Sequence, residues 1–304
     1  MPPFAAPTSL LRRRIRDGLF AAAGLLSMLV ASFTLLALLA LLIHDGGSRL
    51  TASFFTSYPS RFPDQAGILT AWVGTTLIML VTALSAVPLG VAAAVYMEEY
   101  AAKNWMTDVI EIAIANLAGV PSIVYGLLAL GLFVYRFHLG NSILTGGLTL
   151  ALLVLPMVII ATREALRTVP DSIREAAFAL GATRWRTVKD HVLPCATGGI
   201  LTGLIIALSR AIGETAPLIT IGALSFVAFL PQSPFQDGFP YLSFAWLLDG
   251  FTVLPIQMFN WISRPQEAFH LNAAGAGLVL LSMTLAMNGL AIFIRYRFRR
   301  RLQW

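Results

Sequence analysis

The chain has 304 residues, of which 57% are hydrophobic and only 12% charged, with a formal net charge of +6. Soluble domains carry about 25% charged residues, so this composition excludes an ordinary water-soluble enzyme or binding module. A single cysteine, Cys195, excludes a disulfide within the chain.

The basic run Arg12, Arg13, Arg14 and Arg16 opens the chain as a tail, residues 1–17, and an uncharged stretch follows at 18–43. That stretch outlasts the apolar core of a secretory signal, about 7–15 residues, so a retained membrane span is expected. Residues 44–65 are polar and turn-rich and read as an external loop. Further uncharged stretches lie at 66–97, 112–135, 137–162, 192–209 and 271–294. Each reaches or approaches the ~20 residues that cross about 30 Å of hydrocarbon as a helix. The expected fold is therefore all-α and polytopic: six transmembrane helices, five of them within one domain over 66–295. A basic tail, 296–304, ends the chain. The stretch 215–236 competes as a seventh span.

Charge decides between six and seven. With six spans, Arg12, Arg13, Arg14, Arg16, Lys103, Arg163, Arg167, Arg174, Arg184, Arg186, Lys189, Arg295, Arg297, Arg299, Arg300 and Arg301 share one side. Only Arg49, Arg61, Arg136 and Arg264 fall on the other, and Arg210 lies in the membrane. Such asymmetry places both termini in the cytoplasm. The positive charge thus describes topology, and nucleic acid is not an expected partner. The outer loop, about 223–270, is rich in aromatics; Trp246, Phe251, Phe259 and Trp261 suit an interfacial piece or a docking platform.

The inner loop 163–194 carries a helical elbow. Pro170 suits a first turn, Ser172 to Glu175 matches a capping box, and Gly181 suits a left-handed stop. A second short piece, 184–189, is expected to end before Leu193 and Pro194, which open the fifth span. Ala176 and Ala177 permit close approach of another protein, with Phe178 and Trp185 as anchors. In the fifth span, Arg210 and Glu214 sit one turn apart. Each such charge costs roughly 2.5–3.5 kcal/mol at mid-bilayer on insertion scales, so the pair marks a substrate pathway or a fixed packing contact. Pro217 is expected to kink the span by removing the partner of the Gly213 carbonyl. Gly199 and Gly203, in GxxxG spacing, permit a close helix neighbour. A kinked, charged, closely packed span belongs beside a pathway rather than lipid.

Glu175-Ala176-Ala177, then Gly181 and Leu193-Pro194, resembles the EAA loop of bacterial ABC importer permeases; His191 departs from the apolar residue usual there. More of the chain, roughly 66–301, is similar to the phosphate-importer (PstA-type) branch. The runs GVAAAVYMEEYA (90–101), NLAGVPSIVYGLLALGLFV (116–134), ALSRAIGETAPL (207–218) and TVLPIQMFNWISRPQEAFHLNAAGAG (252–277) carry that likeness. The resemblance implies a type I importer permease fold in the bacterial inner membrane, with 163–194 as the coupling loop. Glu175, Ala176, Ala177, Phe178, Gly181, Leu193 and Pro194 would meet an ATP-binding subunit, and Arg210, Glu214 and Pro217 would serve a phosphate pathway. The implied partners are a second permease (PstC type), ATP-binding subunits (PstB type) and a periplasmic phosphate-binding protein (PstS type). ATP and Mg would belong to the ATP-binding subunits, with no cofactor in this chain. No GxxxxGK[ST] loop or GxSxG elbow is present, and the histidines lack ligand spacing. Another oxyanion, such as phosphonate, sulfate or molybdate, is the alternative cargo, and an intramembrane enzyme is the rival from another class.

Overall fold

A computed structural model describes residues 7–223, 227–234, 241 and 243–300, with side chains described between 12 and 297. Helices dominate, and among the described residues the only β contact is an isolated bridge between Ser142 and Gly250. The first helix, α1 (Pro7–Gly47), spans 41 residues and its apolar stretch is unburied; near its C-terminal end Gly46 and Leu42 meet Ala274 and Gly277 of α12 (Glu267–Arg300). After the short α2 (Ala52–Thr56), the bundle is built on α3 (Leu69–Val95), α6 (Ile143–Arg167) and α9 (Leu193–Gly213).

Among the described residues, five helices are long and apolar enough to cross a membrane: α1, α3, α6, α9 with its approach from Arg184, and α12. The third expected span, 112–135, is not one rod. It divides into α4 (Trp105–Ala118) and α5 (Ser122–Ala129), which continues as a π turn to Arg136, and the two halves meet at 104°. Counted as one broken span, they make the sixth. The break has a covalent cause: Pro121 lacks an N–H and disfavours helical backbone at Val120. The Leu117 carbonyl, whose i+4 partner would be Pro121, instead accepts the Val120 N–H at 3.1 Å and the Tyr125 hydroxyl at 2.8 Å. The fourth span also starts later than its uncharged run, at Ile143, because Ser142 caps it by accepting the Thr145 N–H. Within the 215–236 stretch, the described residues hold only α10 (Ala216–Thr220), too short to span.

Small residues set the helix spacing. A methyl at Gly199 or Gly203 would collide with Ala165 or Ala161 of α6, so the GxxxG pair does bring α9 against a neighbour. Between α3 and α6 the Thr82 hydroxyl lies 2.9 Å from its own helix's Ile78 carbonyl and 3.1 Å from the Gly147 carbonyl. At the end of the bundle opposite the 163–194 loop, α11 (Leu254–Ile262) packs on α12. There the outer-loop aromatics divide: Phe251 and Trp261 are buried in the core, whereas Phe259 is exposed. Burial of Trp261 against Phe54 and Phe269 makes this region part of the fold as well as its surface.

Candidate functional site

Arg210 lies in the last turn of α9, where a cation favourably meets the unpaired carbonyls of a helix C-terminus. The expected i, i+4 partner is present, with Arg210 Nε 3.3 Å from Glu214 Oε1. The backbone between them differs from expectation. Helix α9 stops at Gly213, and Glu214 is extended (φ −78°, ψ 124°), so the pair bridges a helix end. Pro217 does not kink a continuous helix. It falls in the first turn of α10, where an N–H would have no intrahelical partner anyway. The proline is buried, and α10 packs on α5 at Gly126, where a methyl would collide with Thr220 and Pro217.

The Arg210 guanidinium is held but not saturated. Besides Glu214, its Nη1 approaches the Met157 sulfur at 3.5 Å, a weak acceptor, and the side chain remains 43% exposed. A guanidinium has five N–H donors. Those not engaged here are free to meet an anion, which a planar fork grips through two oxygens.

At the other end of the molecule, α7 (Asp171–Ala179) is the helix expected from the EAA residues. It begins at Asp171 with Pro170 before it, so the capping box from Ser172 to Glu175 does not form. The proline starts the helix one residue too early for Ser172 to cap, and Asp171 supplies the first-turn negative charge instead. The stop is as expected: φ is +82° at Gly181, and the Ala182 N–H returns to the Ala177 carbonyl at 3.0 Å. One face of α7 is turned inward through Arg174 and buried Ala177; Glu175, Ala176 and Phe178 are exposed.

The second short piece, α8 (Arg184–Thr187), does not end before Leu193. It runs through a π turn, Val188–Val192, directly into α9. Pro194 cannot donate to an i−4 carbonyl, and the widened turn accommodates the missing bond. The elbow is therefore continuous with the span that carries Arg210. An apolar groove of about 430 Å³ lies between α7 and the start of α9, lined in part by Ala176, Ala177, Leu180, His191 and Pro194. His191, the departure from the EAA pattern, stands exposed on this groove.

Sequence reasoning used Arg163, Arg167 and Arg174 only to count charge, and missed what they hold. Arg163 binds Glu98 at 3.3 Å and Glu111 at 2.9 Å, and Arg167 reaches the same two carboxylates. Arg174 binds Glu99 at 2.7 Å. Glu98 and Glu99 sit on a π turn, Tyr96–Tyr100, at the end of α3. Hydrogen bonding to Glu99 raises the Arg174 pKa above its ordinary value. The available signal was the adjacent pair Glu98-Glu99 on the arginine-rich side.

Membrane-length helices, a broken third span and a helical elbow feeding a central helix define a polytopic helical membrane protein. The chain belongs to the family of binding-protein-dependent transport system inner membrane components, a model of which matches residues 86–304. It is 34% identical over 295 residues to the phosphate transport system permease protein PstA 1 of Mycobacterium tuberculosis (strain CDC 1551 / Oshkosh), covering 96% of this chain and 92% of the relative. It is 36% identical over 236 residues to the probable ABC transporter permease protein YqgI of Bacillus subtilis (strain 168), covering 76% and 79% respectively. In fold, it is similar to a chain in the crystal structure of a bacterial alginate ABC transporter bound to its periplasmic protein. That likeness has a TM-score of 0.64 and 14% identity over 95% of this chain and 97% of the other.

Proposed function

We infer that this chain is the permease subunit of an ATP-driven phosphate importer and forms half of the transmembrane phosphate pathway. Near-full-length similarity to a phosphate transport permease supports the substrate class. The observation that carries the reading is Arg210, a guanidinium tethered by Glu214 at the broken end of α9 yet open to a ligand. Glu214 competes with the anion for the guanidinium, which orients Arg210 and weakens its grip enough for release. A second permease of the PstC type supplies the other half of the pathway. Subunits of the PstB type bind and hydrolyse ATP with Mg, and a PstS-type periplasmic protein delivers phosphate. Exposed Glu175, Ala176 and Phe178, set by the Gly181 turn, meet the ATP-binding subunit, and continuity with α9 through Leu193 and Pro194 brings the stroke to Arg210.

Labelled-phosphate uptake in cells lacking only this chain tests the reading, with sulfate, phosphonate and molybdate as competitors. Loss of phosphate uptake that the gene restores is the expected result. Retained phosphate uptake with loss of another oxyanion would assign the site to that anion. This reading puts both termini in the cytoplasm: reporters after Arg186 and Arg301 should report the inside and one after Ser233 the periplasm. A cytoplasmic signal at Ser233 would overturn that topology.

A further inference from the structure

We propose that Glu98 and Glu99 form a charge hub that makes the coupling helix α7 move as one body with the inner ends of α3, α4 and α6. By the covalent path alone, a stroke on α7 reaches α9 through α8 and reaches α6 through the 168–170 connection. The hub adds α3 and α4.

The geometry is that of a joint. Two consecutive carboxylates on the π turn after α3 face different helices. Glu98 lies between Arg163 and Arg167 of α6, and Glu99 takes Arg174 of α7 through Nη2 at 2.7 Å and Nε at 3.2 Å. Arg163 and Arg167 also reach Glu111 of α4. Arg174 further donates from Nη1 to the Val169 carbonyl and Asp171, and from Nη2 to the Leu166 carbonyl. All five of its donors are thus committed. The Glu99 side chain is only 9% exposed and that of Arg174 17%, so water cannot readily replace either partner. Separating them leaves an unpaired charge in a poorly solvated site. The pair therefore persists while its elements move. Arg174 immediately precedes Glu175-Ala176-Ala177, so the joint lies on the back of the surface presented to the ATP-binding subunit.

This inference rests on the importer reading above, and its test separates the two. The assembled transporter in proteoliposomes is assayed for phosphate taken up per ATP hydrolysed, and Glu99→Ala is compared with the unaltered chain. Arg174 retains Leu166, Val169 and Asp171 in that variant, so assembly is expected to persist. Uptake per ATP should fall by about tenfold, the decade that a charge-assisted hydrogen bond supplies. The reciprocal exchange Glu99→Arg with Arg174→Glu should recover part of it. A merely structural pair would lower the amount of complex without changing the ratio, and an unchanged ratio in Glu99→Ala overturns the hub. A second readout needs no substrate: spin labels at Ser172→Cys and Tyr96→Cys, in a Cys195→Ser background, report the α7 to α3 distance. It should stay constant with and without ATP, and become nucleotide-dependent in Glu99→Ala. A distance that changes with Glu99 intact sinks the proposal. Absence of phosphate uptake by the unaltered complex would instead overturn the substrate assignment, with the label distances still deciding the hub.

Discussion

Arg174 and Arg210 carry the same guanidinium, and each meets a glutamate, yet they are opposite kinds of site. Arg174 spends every donor inside the chain, on Glu99, Asp171 and two carbonyls, and is mostly buried. Arg210 has one carboxylate and a thioether sulfur, and almost half of its side chain is exposed. A saturated arginine fixes helices; an unsaturated one can receive a ligand. Charge and residue type do not separate these cases. The count of occupied donors does.

The sharpest way to break the contrast is to neutralise Arg210. Arg210→Gln should reduce phosphate uptake to background at matched membrane levels, and Arg210→Lys should recover little, because an ammonium lacks the planar fork. The double change with Glu214→Gln tells pathway from packing. Two amides can still hydrogen-bond, so a packing pair would regain transport, whereas an anion contact would not. Substantial uptake by the double variant would remove Arg210 from the pathway.

Arg163→Ala tests the saturated side. It removes a cation only 9% exposed, while Arg167 still reaches both Glu98 and Glu111, so the loss should cost on the order of 1–2 kcal/mol. Thermal unfolding of the purified complex should shift down and membrane levels should fall. An unchanged transition would show that Arg167 alone neutralises both carboxylates.

Gly181→Val should cost about 1–2 kcal/mol locally, because a β-branched residue is strained at a φ of +82°. The expected phenotype is weak co-purification of the ATP-binding subunit, or ATP hydrolysis with little uptake, while the chain still inserts. Normal uptake with normal co-purification would remove the turn from coupling. Glu175→Gln should be the mildest for the chain itself. Glu175 is exposed and its change should alter stability by less than about 0.5 kcal/mol, so any lost transport at equal protein levels reports a contact with another subunit.

Much of this was legible in residue order. Runs without charge mark membrane helices because hydrocarbon penalises every ionisable group, and that penalty is local to the run. Gly181 was readable as a left-handed stop for the same reason: the constraint belongs to one residue's backbone. Gly199 and Gly203 announced a close neighbour, though not that it would be Ala165 and Ala161 of α6.

Where the sequence misled, two local rules competed and packing chose. Pro217 could kink a long helix or open a short one. The seating of α10 against Gly126 goes with the second, and it takes Glu214 out of α9. The stretch 112–135 was expected as one span, but the chain turns through 104° around Gly119, Val120 and Pro121, and the Val120 N–H and Tyr125 hydroxyl both turn back to the Leu117 carbonyl.

By itself, then, the sequence determined the class, the number of apolar crossings to within one, the elbow and its stop, and the pairing of Arg210 with Glu214. Those follow from solvation and from contacts within about one helical turn. Only the tertiary structure decided that Glu98 and Glu99 hold three arginines from α6 and α7. Those partners lie 65 to 75 residues away along the chain, beyond the reach of any local rule, and which cations are spent and which stay free depends on helix packing.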